Sequence, residues 1–514
     1  MTTSTSNAQA GELLRADLAA PSLPPASSAP PSIPPGAASA SARELPRTIW
    51  SRFIILMLCL AVVTTTLAFG TVHAWSLAAF QLSAAIVFML WMFDASRTRV
   101  LRVSLNPLQL PLVGLFVVGL IQLLPLGGAA LSFDPQATRV SLIQLAGLLV
   151  YFAAALAFVD SPRRLKLMAR LVVIFGFLLA VYGLMQHFIN PRTIFWVREP
   201  KQAEPFGPYV NRHHFAGYME LVLAMPLGLM FAGAVARERM LLYAFASAMM
   251  AIALVMTNSR GGLVAMVCEV LFLAAVSSLA RGRRREGETL SGAERMRAAA
   301  VRVGLGFAMV LAVFVGVLYF GGEDALSRML GTVNSADPTT GRAHFWSGTL
   351  GIIRDHPWLG TGLGSFGSAY TRYDTANGQY RLEQAHNDYL QIFSDAGVVG
   401  GLLALAFVIL LFRAALRRMQ TQDRFRRGVA LGALAGCAGV LVHSFFDFTL
   451  HTTANALLFL VLAALATTDG RVEERSEGSR RHRRRRRRSH EGSDARDDVD
   501  AHAAALPEKE GAAT

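Results

Sequence analysis

The chain has 514 residues, 53% of them hydrophobic and 16% charged, with a net charge of +14. A soluble globular domain carries about a quarter charged residues, so this composition excludes an ordinary soluble enzyme and points to a polytopic membrane protein. The basic excess is not read as a nucleic-acid signature, because Lys and Arg of a membrane protein collect in its cytoplasmic loops.

Residues 1–48, rich in Ala, Ser and Pro, read as a disordered cytoplasmic tail. They lack the charged start and cleavage site of a signal peptide, so the first membrane helix is expected to act as an uncleaved insertion signal. From 49 to 468 a hydropathy window of about 20 residues predicts an all-α membrane domain of about twelve transmembrane helices. They begin near Phe53, Val72, Pro107, Ser141, Leu167, His214, Met240, Gly261, Val301, Gly397, Gly428 and Thr452. The basic segments RTRVLR (97–102), RRLKLMAR (163–170), RERM (237–240), RGRRREGETLSGAERMR (281–297) and RRMQTQDRFRR (417–427) all fall on one side of this arrangement. That alternation predicts both termini in the cytoplasm. Residues 469–514 form a basic and then acidic tail. Its arginine run directly follows the last span and reads as a stop signal against anionic lipid.

Two loops on the opposite face are large: 190–213, and 321–396 between the ninth and tenth spans. A structureless loop of the second length is uncommon, so it should hold helices. DPTTGRAHFWSGTLGIIRDHP fits one, with Asp337 as cap, Pro338 at the first position and Pro357 at the end. Its expected apolar face is Phe345, Trp346, Leu350 and Ile353, suited to a membrane surface.

Four polar groups are expected at that same outer face, NRHHFAGY (211–218), NSRGG (258–262), GRAHFW (341–346) and AHNDYLQ (385–391), and a fifth, HSFFDFTLH (443–451), is expected to span the outer end of the eleventh helix. Arg260 sits in a tight turn between two spans, where positive charge works against the orientation rule. A guanidinium there suits phosphate oxygens, and Arg212 and Arg342 are similar candidates. His386 has the right chemistry for a general base, beside Asn387, Asp388 and Tyr389. His443, Asp447 and His451 are spaced four apart and are expected on one helix, as a hydrogen-bond network. His213 and His214 raise the thought of zinc, but no partner has ligand spacing, and no metal is expected. Cys59, Cys268 and Cys437 lie in apolar runs and read as buried apolar residues. GLGSFG (362–367) matches a nucleotide fingerprint without the preceding strand, and is expected to be a flexible loop.

GPYVNRHHFAGYMEL, TNSRGGLVA, GRAHFWSGTLGIIRDHPWLGTGLGSF, QAHNDYLQIFSDAGVVGGLLAL and HSFFDFTLHTTANALLFLVLAAL together resemble the family of O-antigen ligases and Wzy-type polymerases. The resemblance covers roughly residues 50 to 468 in order and spacing, and leaves out both tails. It implies a twelve-helix glycosyltransferase of the GT-C type in the bacterial inner membrane, with a large periplasmic loop. The implied donor is a glycan on undecaprenyl pyrophosphate, and the acceptor is lipid A core or a growing polysaccharide. No cofactor, nucleotide sugar or nucleic acid is implied. Arg260, with Arg212 and Arg342, would hold the pyrophosphate, and His386 would deprotonate the acceptor. Asn387, Asp388 and Tyr389 would orient it, and His213, His214, His443, Asp447 and His451 would support the site. The alternative class is a transporter or flippase of a polysaccharide precursor. Such a protein of two halves would place its long linker inside, whereas here the long loop is outside and off-centre.

Overall fold

A computed structural model describes residues 48–125, 130–201, 203–282, 342–374 and 382–468. These residues fold into helices α1 (Ile49–Leu67), α2 (Ala74–Thr98), α3 (Gln109–Gln122), α4 (Pro135–Phe158), α5 (Pro162–Ile189), α6 (Arg212–Phe231), α7 (Arg237–Met256) and α8 (Arg260–Gly282). They continue with α9 (Arg342–Asp355), α10 (Phe366–Tyr370), α11 (Asp388–Arg418), α12 (Arg424–His443) and α13 (Thr453–Thr467). Among the described residues 9 helices are long and apolar enough to cross a membrane, and α3 and α13 are shorter apolar helices. The protein is therefore a multi-pass, all-helical membrane protein. Every predicted span start except Val301 lies on or beside one of these helices. Val301, both tails and residues 321–341 of the long loop lie outside the described residues.

Local chemistry sets the helix starts. Asp134 caps α4 ahead of Pro135, and Ser161 caps α5 ahead of Pro162. Asn211, Asn387 and Asp423 cap α6, α11 and α12 through their side-chain oxygens. Each such cap satisfies backbone donors that would otherwise be orphaned, and is worth about 1 kcal/mol.

Among the nine candidate spans the most enclosed are α6 and α12, with 89% and 72% of their apolar windows buried, against 28% for α2. Glycine explains why these two meet so closely. A Cβ on Gly228 would lie 2.3 Å from the Gly432 nitrogen, and one on Gly432 would lie 2.7 Å from the Ala224 oxygen. Gly436 faces Leu221 in the same way. Without a hydrophobic driving force between helices in lipid, such small-residue stripes let backbones pack by direct van der Waals contact. The consequence for function is positional: α12 is pinned against α6 up to its last residue, His443.

Helix α11 is broken at Gly397, whose φ of 64° and ψ of −163° are not helical. The glycine-rich loop 357–365 docks into the break. Val398 donates to the Pro357 carbonyl at 2.7 Å, while Thr361 and Gly362 donate to Ser394 and Asp395 carbonyls at 2.9 and 3.0 Å. Gly364 donates to Asp395 Oδ2 at 3.0 Å and Leu363 to Gln122 Oε1 at 2.9 Å. This corrects the expectation of a flexible loop. The glycines are required because Gly360, Gly362 and Gly364 have positive φ and the loop backbone must reach the freed groups of α11.

The expected outer helix exists as α9, but its buried face is rotated. Phe345, Thr349 and Ile352 pack toward Phe366 and Tyr370, and Trp346 Nε1 donates to the Ala385 carbonyl at 3.2 Å. Leu350, expected on the apolar face, is 56% exposed. The partners of α9 are α10 and the start of α11, and their position rather than simple apolar spacing selects the face.

At the opposite end of the bundle, near the start of α1, the charges pair with each other. Arg102 bonds to Asp94 at 3.2 Å and to Asp160 at 3.6 Å, and Arg164 to Asp160 at 3.2 Å. Arg164 also donates to Ser51 Oγ at 2.7 Å, so the cluster ties α1, α2 and α5 together.

Candidate active site

The site gathers at the end of the bundle where α6, α8 and α11 start and α12 ends. His386 immediately precedes the cap of α11 and has a φ of 51°, an uncommon left-handed conformation for a residue with a side chain. Its Nδ1 lies 3.2 Å from Asp447 Oδ1. The ring stands edge-on to Phe448 at 4.8 Å, and 28% of the side chain is open. A carboxylate on Nδ1 fixes the tautomer and leaves Nε2 as the accepting nitrogen. Burial alone raises the Asp447 carboxyl, but the hydrogen bond from His386 and the neighbouring His213 and His214 rings outweigh it. The group is held well below the usual carboxylate range.

A second pair crosses the first. His451 Nδ1 lies 2.7 Å from Asp388 Oδ1, and Asp388 Oδ2 accepts from Ser444 Oγ at 2.7 Å and the Leu450 N–H at 3.3 Å. His386 and Asp388 belong to one segment, Asp447 and His451 to the other. Two histidine–carboxylate bonds therefore run in opposite senses between the same two strands of chain.

These bonds also correct the expectation that His443, Asp447 and His451 share a helix. Helix α12 ends at His443, and residues 444–452 form a loop with a short 3-10 turn, Thr449–His451. The physical reason is competition: Asp447 accepts its neighbour's amide, Phe448 N–H, at 2.9 Å, and Asp388 takes that of Leu450. Side-chain acceptors replace the helical carbonyls.

From Asp447 the polar contacts continue inward. His213 Nδ1 is 3.9 Å from Asp447 Oδ2 and 2.9 Å from Ser259 Oγ. Ser259 Oγ is 3.4 Å from His443 Nε2, and His443 Nδ1 is 2.7 Å from Glu220 Oε1, with both of these side chains buried. Gly261 allows this approach, since a Cβ there would lie 2.8 Å from the His443 ring. His214 is separately bonded, Nδ1 to Thr452 Oγ1 at 2.9 Å, and stands edge-on to Phe448 at 4.7 Å.

Arg260 begins α8, directly after Ser259. It is exposed and makes no hydrogen bond or ion pair with the described residues. Arg212, at the start of α6, is ion-paired with Glu204. Arg342 opens α9, and its side chain lies outside the described residues. Asn387 is occupied with backbone: its oxygen caps Tyr389 and Leu390, and its amide donates to the Phe445 carbonyl at 3.1 Å. Tyr389 donates its hydroxyl to the Leu441 carbonyl at 2.6 Å. Among the described residues, no three His, Cys, Asp or Glu side chains converge as metal ligands.

The structure thus brings His386, Asp388, His213, His214, His443, Asp447, His451 and Arg260 to one end of the bundle. Sequence reading missed Glu220 and Ser259. A lone glutamate within an apolar span was the available signal for the first, because an ionisable group in a membrane demands a partner.

Beside the site opens a cavity of about 1110 Å³. Its walls are apolar side chains of α3, α4, α11 and α13, among them Leu112, Leu145, Leu148, Ile392, Phe407 and Phe459. Its polar rim includes Asp388, Tyr389, Gln144 and His451. The arrangement joins an oriented imidazole, an exposed guanidinium and a chamber for an apolar chain.

No curated protein matches the chain. Residues 245–405 match the family model described as O-antigen ligase, a segment that includes Arg260, Arg342 and His386 to Tyr389 but not His213, Asp447 or His451. Over residues 245–405 the chain is therefore similar to the O-antigen ligase family, the one that its sequence motifs resemble.

Proposed function

We propose that this protein transfers or polymerises glycan from an undecaprenyl-pyrophosphate carrier at the periplasmic face of the bacterial inner membrane, in O-antigen or exopolysaccharide assembly. The observation that carries this reading is the pairing of His386 with Asp447 at the same bundle end as Arg260, which is exposed and unpaired among the described residues. His386 Nε2 takes the proton of an acceptor hydroxyl as the oxygen attacks the anomeric carbon. Asp447 holds the ring and offsets the imidazolium that forms, in the manner of a histidine–aspartate pair. The bond from the anomeric carbon to the pyrophosphate oxygen breaks, and its electron pair stays on the phosphate. Arg260 meets that growing charge. Arg342 is a further candidate for the same phosphates, and Arg212 contributes once released from Glu204. Displacement in one step inverts the anomeric centre. The chemistry is that of a GT-C-type enzyme with about twelve spans and both termini in the cytoplasm.

The apolar cavity supports a lipid-linked donor, since the prenyl chain must lie next to the carbon that reacts. The broken helix α11 also suits a transporter, where such breaks expose backbone groups to ions. Here, however, the groups freed at Gly397 bond to the 357–364 loop, which favours the transferase.

The test is reconstitution. Purified protein is mixed with a defined undecaprenyl-pyrophosphate oligosaccharide and either lipid A core or a second lipid-linked repeat. An acceptor heavier by one oligosaccharide, with release of undecaprenyl pyrophosphate, is expected. Movement of the lipid-linked glycan across the bilayer without a mass change would replace this reading with a flippase.

A further inference from the structure

The His451–Asp388 pair has no task in the reaction above, yet it mirrors the His386–Asp447 pair and opens onto a different space. His451 lies on the rim of the apolar cavity, with 34% of its side chain open. Its Nδ1 is taken by Asp388, and its Nε2 makes no hydrogen bond to the described residues. Asp388 is itself held at Oδ2 by Ser444 Oγ and the Leu450 amide, so turning the ring would break its bond to the Oδ1 of a fixed carboxylate.

We propose that His451 is a second catalytic residue, an imidazolium that donates its Nε2–H to the terminal phosphate of a prenyl-pyrophosphate whose chain fills this cavity. The proposal rests on the transfer reading for its chemistry but not for its binding site. Cleavage of the anomeric carbon–oxygen bond leaves one further negative charge on the terminal phosphate. Arg260 and its companion arginines would meet it from the His386 side. A donor on the cavity side, already oriented, stabilises charge where it develops and costs no reorganisation during the reaction. The acceptor proton goes to His386, the bonding pair goes to the phosphate oxygen, and His451 shares its proton with that oxygen.

The surroundings favour the charged ring. Burial works against it, but the bond to Asp388 and the charges of Asp388 and Asp395 outweigh burial and raise the His451 pKa above that of an ordinary histidine. The other titratable groups facing this space are Tyr389 on α11 and Asp134 ahead of α4, the latter held below the usual carboxylate range by the Ala137 amide and Ser368. Behind the loop, His214 of α6 bonds to Thr452, and His443 of α12 bonds to Glu220. With Asp134, Asp388 and Asp395 all bordering the cavity, a pyrophosphate there would be repelled unless one cation stood among them. Among the described residues that line the cavity, His451 is the one side chain able to carry positive charge.

Two measurements on His451→Gln test this. Gln keeps a neutral donor toward Asp388, and a melting curve matching wild type establishes that the fold persists. The first measurement is binding of farnesyl pyrophosphate, a short prenyl pyrophosphate, at pH 6 and pH 8. Wild type and His386→Ala should bind more tightly at pH 6, and His451→Gln should bind about tenfold more weakly there with the pH difference lost. The second is the pH profile of transfer. Wild-type turnover should fall at high pH, as His451 loses its proton, and His451→Gln should turn over at least tenfold more slowly without that high-pH limb. Asp388→Asn, which keeps His451 but removes the opposing charge, should move the limb to lower pH. Equal binding by wild type and His451→Gln, or a high-pH limb that survives the substitution, would overturn the proposal. If transfer is absent while binding depends on His451, the transfer reading fails and the binding site stands.

Discussion

The two ends of this bundle both bury charge, and they do so in opposite ways. Near the start of α1, two arginines meet aspartates: Arg102 with Asp94 and Asp160, Arg164 with Asp160. Near the start of α11, the carboxylates meet histidines instead, and Arg260 has no partner among the described residues. A guanidinium–carboxylate pair stays charged across the working pH range and makes a fixed joint. An imidazole–carboxylate pair can exchange a proton, and a leftover guanidinium can accept an anion. One end is built as a clasp, and the other keeps its chemistry open.

The contrast breaks first at His386. Replacement by Ala should lower transfer by at least about 100-fold, the usual contribution of a general base, with the melting temperature unchanged. Rates from single turnovers with labelled donor would show it. Arg260→Gln should come next, at roughly 100-fold, with partial return in Arg260→Lys, because a point charge replaces only part of the forked donor set. Asp447→Asn should cost about tenfold or more, since the ring loses its fixed tautomer.

Asp447 also makes a prediction about stability. Its folded pKa is depressed, so the native state gains stability above the ordinary aspartate value of about 4. That gain shrinks as pH falls below about 4. Melting curves of wild type and Asp447→Asn should therefore differ most at neutral pH, with the gap narrowing only gradually below about pH 4 and still present at pH 3, because the folded carboxyl stays ionised there. Asp94→Asn should do the reverse of the site variants. Breaking a buried pair typically costs about 3–5 kcal/mol, so thermal stability should fall while turnover of the folded fraction stays at the wild-type rate. A turnover defect in Asp94→Asn would blur the distinction between the two ends.

Much of this arrangement was legible in the sequence, for identifiable reasons. Spans announce themselves by composition, and caps such as Asp134 before Pro135 announce starts. Arg260 stood out because a cation on the outer side opposes the orientation rule. The crossed pairs were not legible. Asp388 and His451 are 63 positions apart, and their meeting depends on a loop that a periodic reading turned into helix. The glycine run 362–367 reads as flexible for a related cause. Glycine signals backbone freedom, and only the break at Gly397 shows that the freedom is used to dock rather than to move. Gly397→Ala tests that point. A Cβ there would lie 2.3 Å from the Trp358 carbonyl carbon at a positive φ, so a marked loss of stability is expected in thermal unfolding.

The central claim is that the histidine end performs glycosyl transfer. Its most direct test is the rate at which purified wild type and His386→Ala convert a labelled undecaprenyl-pyrophosphate oligosaccharide, with acceptor, into a product of increased mass. The account predicts conversion by wild type with equal release of undecaprenyl pyrophosphate, and loss of both in a folded His386→Ala. Conversion by His386→Ala at the wild-type rate would contradict it.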